Sequence, residues 1–252
     1  MLSRANPVTK LAVALAITVV LVLTVDVVSA SVALGLEVLT LPLTGIGAGM
    51  LLRRVSPILG VGVLGGLTTL LFGADSGSTV LSLGPIEVTE GAARAALAIT
   101  LRVPAVALPS IVLLSTTDPT ELADGLAQRL HLPERFVLGA LAAFRLVGLL
   151  GEEWRTLGQA RRARGLGGRG GAAPSPRVVA SQTFALLMQA VRRATRLALA
   201  MEARGFGAGR RTWARRSAFG AADVALGAGG ALVAAAAVTV AVWAGTWNFV
   251  LT

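Results

Sequence analysis

Five apolar stretches, each close to the length that crosses a lipid bilayer, constrain this chain more than any other feature. They run from Leu11 to Val25, Val28 to Ile46, Pro57 to Phe72, Ala92 to Ser115 and about Ala221 to Trp247. About 20 apolar residues span the hydrocarbon layer. The first stretch sits where a secretory signal would, but no convincing small-residue cleavage site follows it and more apolar stretches come after. It is therefore expected to span as a helix. Composition agrees: 54% of the residues are hydrophobic and 14% charged, against about 25% charged in an ordinary soluble domain, and the mean hydropathy is +0.75. That balance excludes intrinsic disorder and argues against a soluble globular protein.

The net charge of +10 would suggest a nucleic-acid partner if it were spread over the chain. It is not spread. Residues 118–217 hold 17 Arg against 7 Asp and Glu, and the rest of the chain is neutral. The basic segment lies between the fourth and fifth stretches, and Arg4, Lys10, Arg53 and Arg54 flank the same ends of earlier ones. The loop holding Asp75, Glu87 and Glu90 lies on the opposite side. The positive-inside rule then puts the N-terminus and the basic segment in the cytoplasm. With no Cys and only His131, disulfides and a multi-imidazole zinc site are excluded.

The basic segment has helical order. Asp118-Pro119-Thr120-Glu121 starts a helix well, with an acidic cap, Pro in the first turn and Glu three residues on, and a short helix is expected to about Leu130. A long helix is expected over Glu134–Arg164 and a second over about Arg177–Arg204, with a Gly-rich connector between them that lacks any Walker pattern. The expected fold is thus an all-α integral membrane protein with about five transmembrane helices plus a cytosolic domain with one short and two long helices. Residues 1–117 hold transmembrane helices 1–4, 118–217 the cytosolic domain and 218–252 the last transmembrane helix.

Both long helices end alike. Ala163-Arg164-Gly165 closes the first and Ala203-Arg204-Gly205 the second. A terminal Gly permits a left-handed cap and an Arg in the last turn complements the negative helix end. On spacing alone the pair reads either as two ordinary caps or as two functional tips. Within the membrane part, Glu37 and Arg102 are read either as a buried pair or as a carboxylate near the outer interface and a cation that snorkels or meets a partner component. Gly60, Gly62, Gly65 and Gly66 permit close helix packing, within the bundle or against a partner.

The wider pattern resembles the T component of energy-coupling factor (ECF) transporters, the EcfT family with its CbiQ and BioN branches. The resemblance runs from Asn6-Pro7-Val8-Thr9-Lys10-Leu11 through Thr116-Thr117-Asp118-Pro119-Thr120-Glu121 and Gly151-Glu152-Glu153-Trp154. It continues through Gln159-Ala160-Arg161-Arg162-Ala163-Arg164-Gly165 and Leu199-Ala200-Met201-Glu202-Ala203-Arg204-Gly205-Phe206. It implies a non-catalytic scaffold in a prokaryotic cell membrane, an ABC-type importer subunit joining two cytosolic ABC ATPases to a membrane S component that carries a vitamin or metal ion. The chain itself would bind no cofactor, ATP and Mg being used by the partner ATPases, and no nucleic acid; its other neighbour is the lipid bilayer. The cytosolic part would be a coupling domain whose two long helices dock on the ATPases. Carried onto this chain, Arg164 and Arg204 would make the contacts, while Ala163, Gly165, Ala203 and Gly205 allow a close fit. Glu152, Glu153, Gln159, Arg161 and Glu202 are secondary coupling candidates, although Glu152 and Glu153 could instead support their own helix through Arg155 or Thr156. The competing class is a stand-alone secondary transporter or channel, for which a polar intramembrane pathway and inverted repeats would speak.

Overall fold

The computed structural model describes residues 5–24, 26–73, 78–83, 86–165, 175–207, 209, 212–213 and 215–246. Helices α1 (Pro7–Leu23), α2 (Val27–Thr44) and α3 (Ala48–Phe72) come first. Strands β1 (Thr79–Leu83) and β2 (Ile86–Thr89) pair as an antiparallel hairpin before α4 (Glu90–Thr116). Then follow α5 (Pro119–Arg129), α6 (Glu134–Ala163), α7 (Pro176–Ala203) and α8 (Ala221–Trp243). The all-helical membrane architecture expected from the sequence is the one observed. Helices α2, α3, α4 and α8 are long and apolar enough to cross a membrane, and α1 is an apolar helix of 17 residues. The hairpin is an addition to that expectation: β-branched Thr79, Val80, Ile86, Val88 and Thr89 favour extended backbone. The Gly-rich connector and Trp247 lie outside the described residues.

The chain forms two compact units, Met1–Gly125 with Ser217–Thr252, and Leu126–Arg216. In the first, α1, α2, α4 and α8 pack side by side and α3 lies on α4. Its buried positions are small: Ala14, Ala30, Ala33, Ala92, Ala96, Ala105, Ala237 and Ala241, while Leu15, Leu39, Leu52, Val61, Leu64, Leu67 and Leu232 face outward. Small residues inside and large ones outside are the arrangement of helices that pack in lipid, where close backbone approach drives association. Gly62 and Gly66 make that approach possible between α3 and α4. A Cβ on Gly66 would lie 2.8 Å from the Ala96 carbonyl oxygen, and one on Gly62 would lie 3.2 Å from that of Thr100. Those two glycines therefore serve packing within the bundle, whereas Gly60 meets open space. Helix α3 begins earlier than the apolar stretch, so Arg53 and Arg54 are helical. Pro57 cannot donate to the Arg53 carbonyl, and the Ser56 hydroxyl donates to it instead, at 3.4 Å.

One end of this unit is tied by polar contacts. The Asn6 backbone N–H donates to Asp223 Oδ1 at 2.5 Å, while Asp223 Oδ2 accepts from the Gly220 N–H at 2.7 Å. Lys10 Nζ donates to the Thr116 carbonyl at 2.9 Å, and Arg54 Nη1 to Ser115 Oγ at 2.6 Å. The starts of α1, α3 and α8 and the end of α4 thus share one face. At that face the chain leaves toward α5 and returns before α8. Arg102 and Glu37 do not pair: Arg102 Nη2 donates to the Val22 carbonyl at 2.5 Å. The buried Glu37 carboxylate, 6% exposed, has no hydrogen-bond partner among the described residues. It lines an apolar cavity of about 630 Å³ with Lys10, Ile17, Leu108, Val112 and Val233. Its place on α2, seven residues before Thr44, brings it nearer the face that holds Lys10 than the opposite one.

Candidate coupling site

The second unit is built on α6 and α7, 30 and 28 residues long, or about 45 and 42 Å. They are antiparallel where they meet. Arg161 Nη1 donates to the Val178 carbonyl at 2.9 Å and its Nη2 to Ser181 Oγ at 3.1 Å. One turn or more back along α6, Gln182 Nε2 donates to the Trp154 carbonyl at 2.7 Å. Arg193 and Glu153 form an ion pair at 2.5 Å. The direction of these contacts puts the end of α6 beside the start of α7, and the end of α7 beside the start of α6.

The two Ala-Arg-Gly segments therefore lie at opposite ends of the helix pair. Their backbones are near copies. Arg164 has φ −88° and ψ 9°, and Arg204 has φ −88° and ψ 8°. Gly165 follows at φ +75° and Gly205 at φ +76°, both in the left-handed region. The Gly165 N–H donates to the Arg162 carbonyl at 3.0 Å and the Gly205 N–H to that of Glu202 at 2.9 Å. Each glycine is thus needed for its backbone angle. Neither is needed for space inside this chain, because a Cβ at either position would meet nothing within 4 Å.

Ordinary capping explains the glycines but leaves the rest of the motif unexplained. Ala163, Arg164, Ala203 and Arg204 are all exposed. Neither guanidinium has a hydrogen bond or ion pair among the described residues. Two long cations of the same kind are held out on rigid helix ends, with small residues on both sides. A planar guanidinium so presented can bind a carboxylate or paired carbonyls through two parallel N–H donors.

The remaining candidates divide by position. Gln159 and Glu202 are exposed within the last turns, next to the tips. Arg161 braces α6 against α7. Glu153 lies three turns back and pairs with Arg193 across the helices, so its partner is neither Arg155 nor Thr156. Glu152 is exposed, and the Thr156 hydroxyl donates to its backbone carbonyl at 3.1 Å. Sequence reasoning passed over Arg193 and Gln182, both of which hold the crossing, and Arg135. The Arg135 guanidinium lies against Gly207, where a Cβ would come within 3.0 Å of it. Arg135, Leu141, Leu197, Met201 and Arg204 line a groove of about 890 Å³ on that side. The exact spacing of Glu153 and Arg193, 40 residues as for the two caps, was the available signal.

Comparison with known proteins gives the family. Residues 1–213 match the family model CbiQ, cobalt transport protein. The energy-coupling factor transporter transmembrane protein EcfT of Bacillus subtilis (strain 168) is 29% identical over 175 residues, 66% of each chain. The protein of the same name from Leuconostoc gelidum subsp. gasicomitatum is 31% identical over 135 residues, half of each chain. The matched region covers less than two thirds of the length of these relatives.

Proposed function

Because the chain belongs to the CbiQ family of cobalt transport proteins, we propose that it is the transmembrane scaffold of an ECF-type importer. In this reading it carries ATP-driven motion from two cytosolic ATPases to a substrate-binding S component for uptake of a vitamin or metal ion. The membrane is the prokaryotic cell membrane, with the α6–α7 unit on the cytoplasmic side, as the charge asymmetry favours. The chain is non-catalytic and binds no cofactor; ATP and Mg belong to its partners.

The observation that carries the reading is the pair of matched, exposed Arg caps at opposite ends of one antiparallel helix pair. Two equivalent tips suit two equivalent partners. A tip that seats in a groove feels the groove move, and a stiff helix of about 45 Å transmits that displacement to the crossing and onward. Arg164 and Arg204 are the principal contacts. Ala163, Gly165, Ala203 and Gly205 keep the approach open, and Gln159 and Glu202 are secondary contacts beside the tips.

The test is co-purification with the ATPase subunits, together with uptake, for Arg164→Ala, Arg204→Ala and the double variant. Truncating a buried interfacial Arg costs about 2–5 kcal/mol, so each single variant weakens ATPase retention and the double variant loses it. Full retention and uptake in the double variant would remove the assignment. Transport by the chain alone, without ATPases, would favour a stand-alone carrier.

A further inference from the structure

Helices α6 and α7 repeat one another beyond their caps. At an offset of 40 residues Phe144 matches Phe184, Leu146 matches Leu186, Leu157 matches Leu197 and Ala160 matches Ala200. The two phenylalanines also share their exposure, 63% for Phe144 and 64% for Phe184. At the same offset, Glu153 and Arg193 are counterparts with opposite charge, and these two pair with each other. An antiparallel pair of similar helices that touch at counterpart residues has an approximate local twofold axis through that contact, which the Arg161 and Gln182 hydrogen bonds do not share. Each Arg cap lies eleven residues beyond its own member of the pair, about 16 Å of helix. The contact is partly buried: the Arg193 and Glu153 side chains are 38% and 22% exposed, and Arg193 Nη1 and Glu153 Oε2 are buried without hydrogen-bond partners among the described residues.

We infer that the Glu153–Arg193 pair is the positioning node of the coupling unit, fixing the point from which two arms of equal length reach Arg164 and Arg204. Equal arms give the two tips equal displacement for a given rotation at the crossing. The inference rests on the docking role proposed above for the caps, but its geometry belongs to this chain alone. It also makes a demand that a generic stabilising ion pair does not. Because the two positions are 40-residue counterparts equally far from their caps, exchanging the charges keeps both the pair and the two arm lengths.

The experiment uses the full chain with spin labels at Ala160→Cys and Ala200→Cys. Both positions are exposed, and the protein contains no other cysteine. Glu153→Gln or Arg193→Gln is expected to broaden the tip-to-tip distance distribution and, in the assembled transporter, to cut uptake per ATP hydrolysed several-fold while ATPase co-purification is retained. The exchange Glu153→Arg with Arg193→Glu is expected to restore both the narrow distribution and the coupling. An unchanged distribution in the single variants overturns the inference, as does an exchange that restores neither property. The distance measurement needs no ATPase, so it stands apart from failure of the docking role, which would show as loss of co-purification in the unsubstituted protein.

Discussion

Asparagine at Gly165 and Gly205 separates a helix cap from a docking tip. Both glycines sit near φ +75° with no atom within 4 Å of a would-be Cβ, so a side chain costs only backbone strain in the isolated chain. For most L residues that strain is about 1–2 kcal/mol. Asn visits the left-handed region readily and stands in for Gly at helix ends, so its cost falls below about 1 kcal/mol per site. For a chain of this length 1 kcal/mol moves the thermal midpoint by about 2–4 °C, and the double Asn variant should melt within a few degrees of the parent. Seating against an ATPase is another matter. In the proposed complex the open space beside each glycine is partner surface, where an inserted side chain would overpack a close contact at about 1–3 kcal/mol. That weakens ATPase binding about 5- to 150-fold per tip. Thermal unfolding of the purified protein and ATPase titration in nanodiscs read the two effects separately. Unchanged stability with unchanged ATPase affinity would refute the docking argument and leave two plain caps.

Two further perturbations probe the membrane unit. Gly66→Ala should destabilise it by about 1–3 kcal/mol, because the added Cβ meets the Ala96 carbonyl, which belongs to a helix backbone and cannot turn aside. Gly60→Ala, in open space, is the control, and equal unfolding midpoints for the two would contradict the close α3–α4 approach. Glu37→Met should raise the unfolding midpoint by relieving a buried carboxylate with no hydrogen-bond partner among the described residues, a penalty of about 1–3 kcal/mol or more. A lowered midpoint would mean that the carboxylate serves a contact on which the fold depends.

What the sequence disclosed and what it withheld follow from the range of the forces involved. Helix limits come from local signals, and Pro119, Pro133, Gly165 and Gly205 mark them within a residue or so of α5, α6 and α7. The apolar stretches announced the membrane unit for the same reason, since lipid selects on composition over about 20 residues. Partnerships across helices are not local. Glu37 and Arg102 could be imagined as a pair because each is costly in lipid, yet Arg102 satisfies itself on the Val22 carbonyl and leaves Glu37 facing a cavity. Glu153 was read with the tip it precedes, whereas its charge is spent on Arg193. The exception is instructive. The caps and the ion pair share one spacing, and a repeat converts separation along the chain into symmetry in space. That symmetry is imperfect where Arg161 and Gln182 have Met201 and Ala142 as counterparts. The Arg161 and Gln182 hydrogen bonds close the Arg164 side, while the groove beside Arg135 opens the other. Two arms of equal length are therefore braced unequally. The Arg164 side has the Arg161 and Gln182 hydrogen bonds in addition to the Glu153–Arg193 node, so a perturbation of the node should register more strongly at Arg204 than at Arg164.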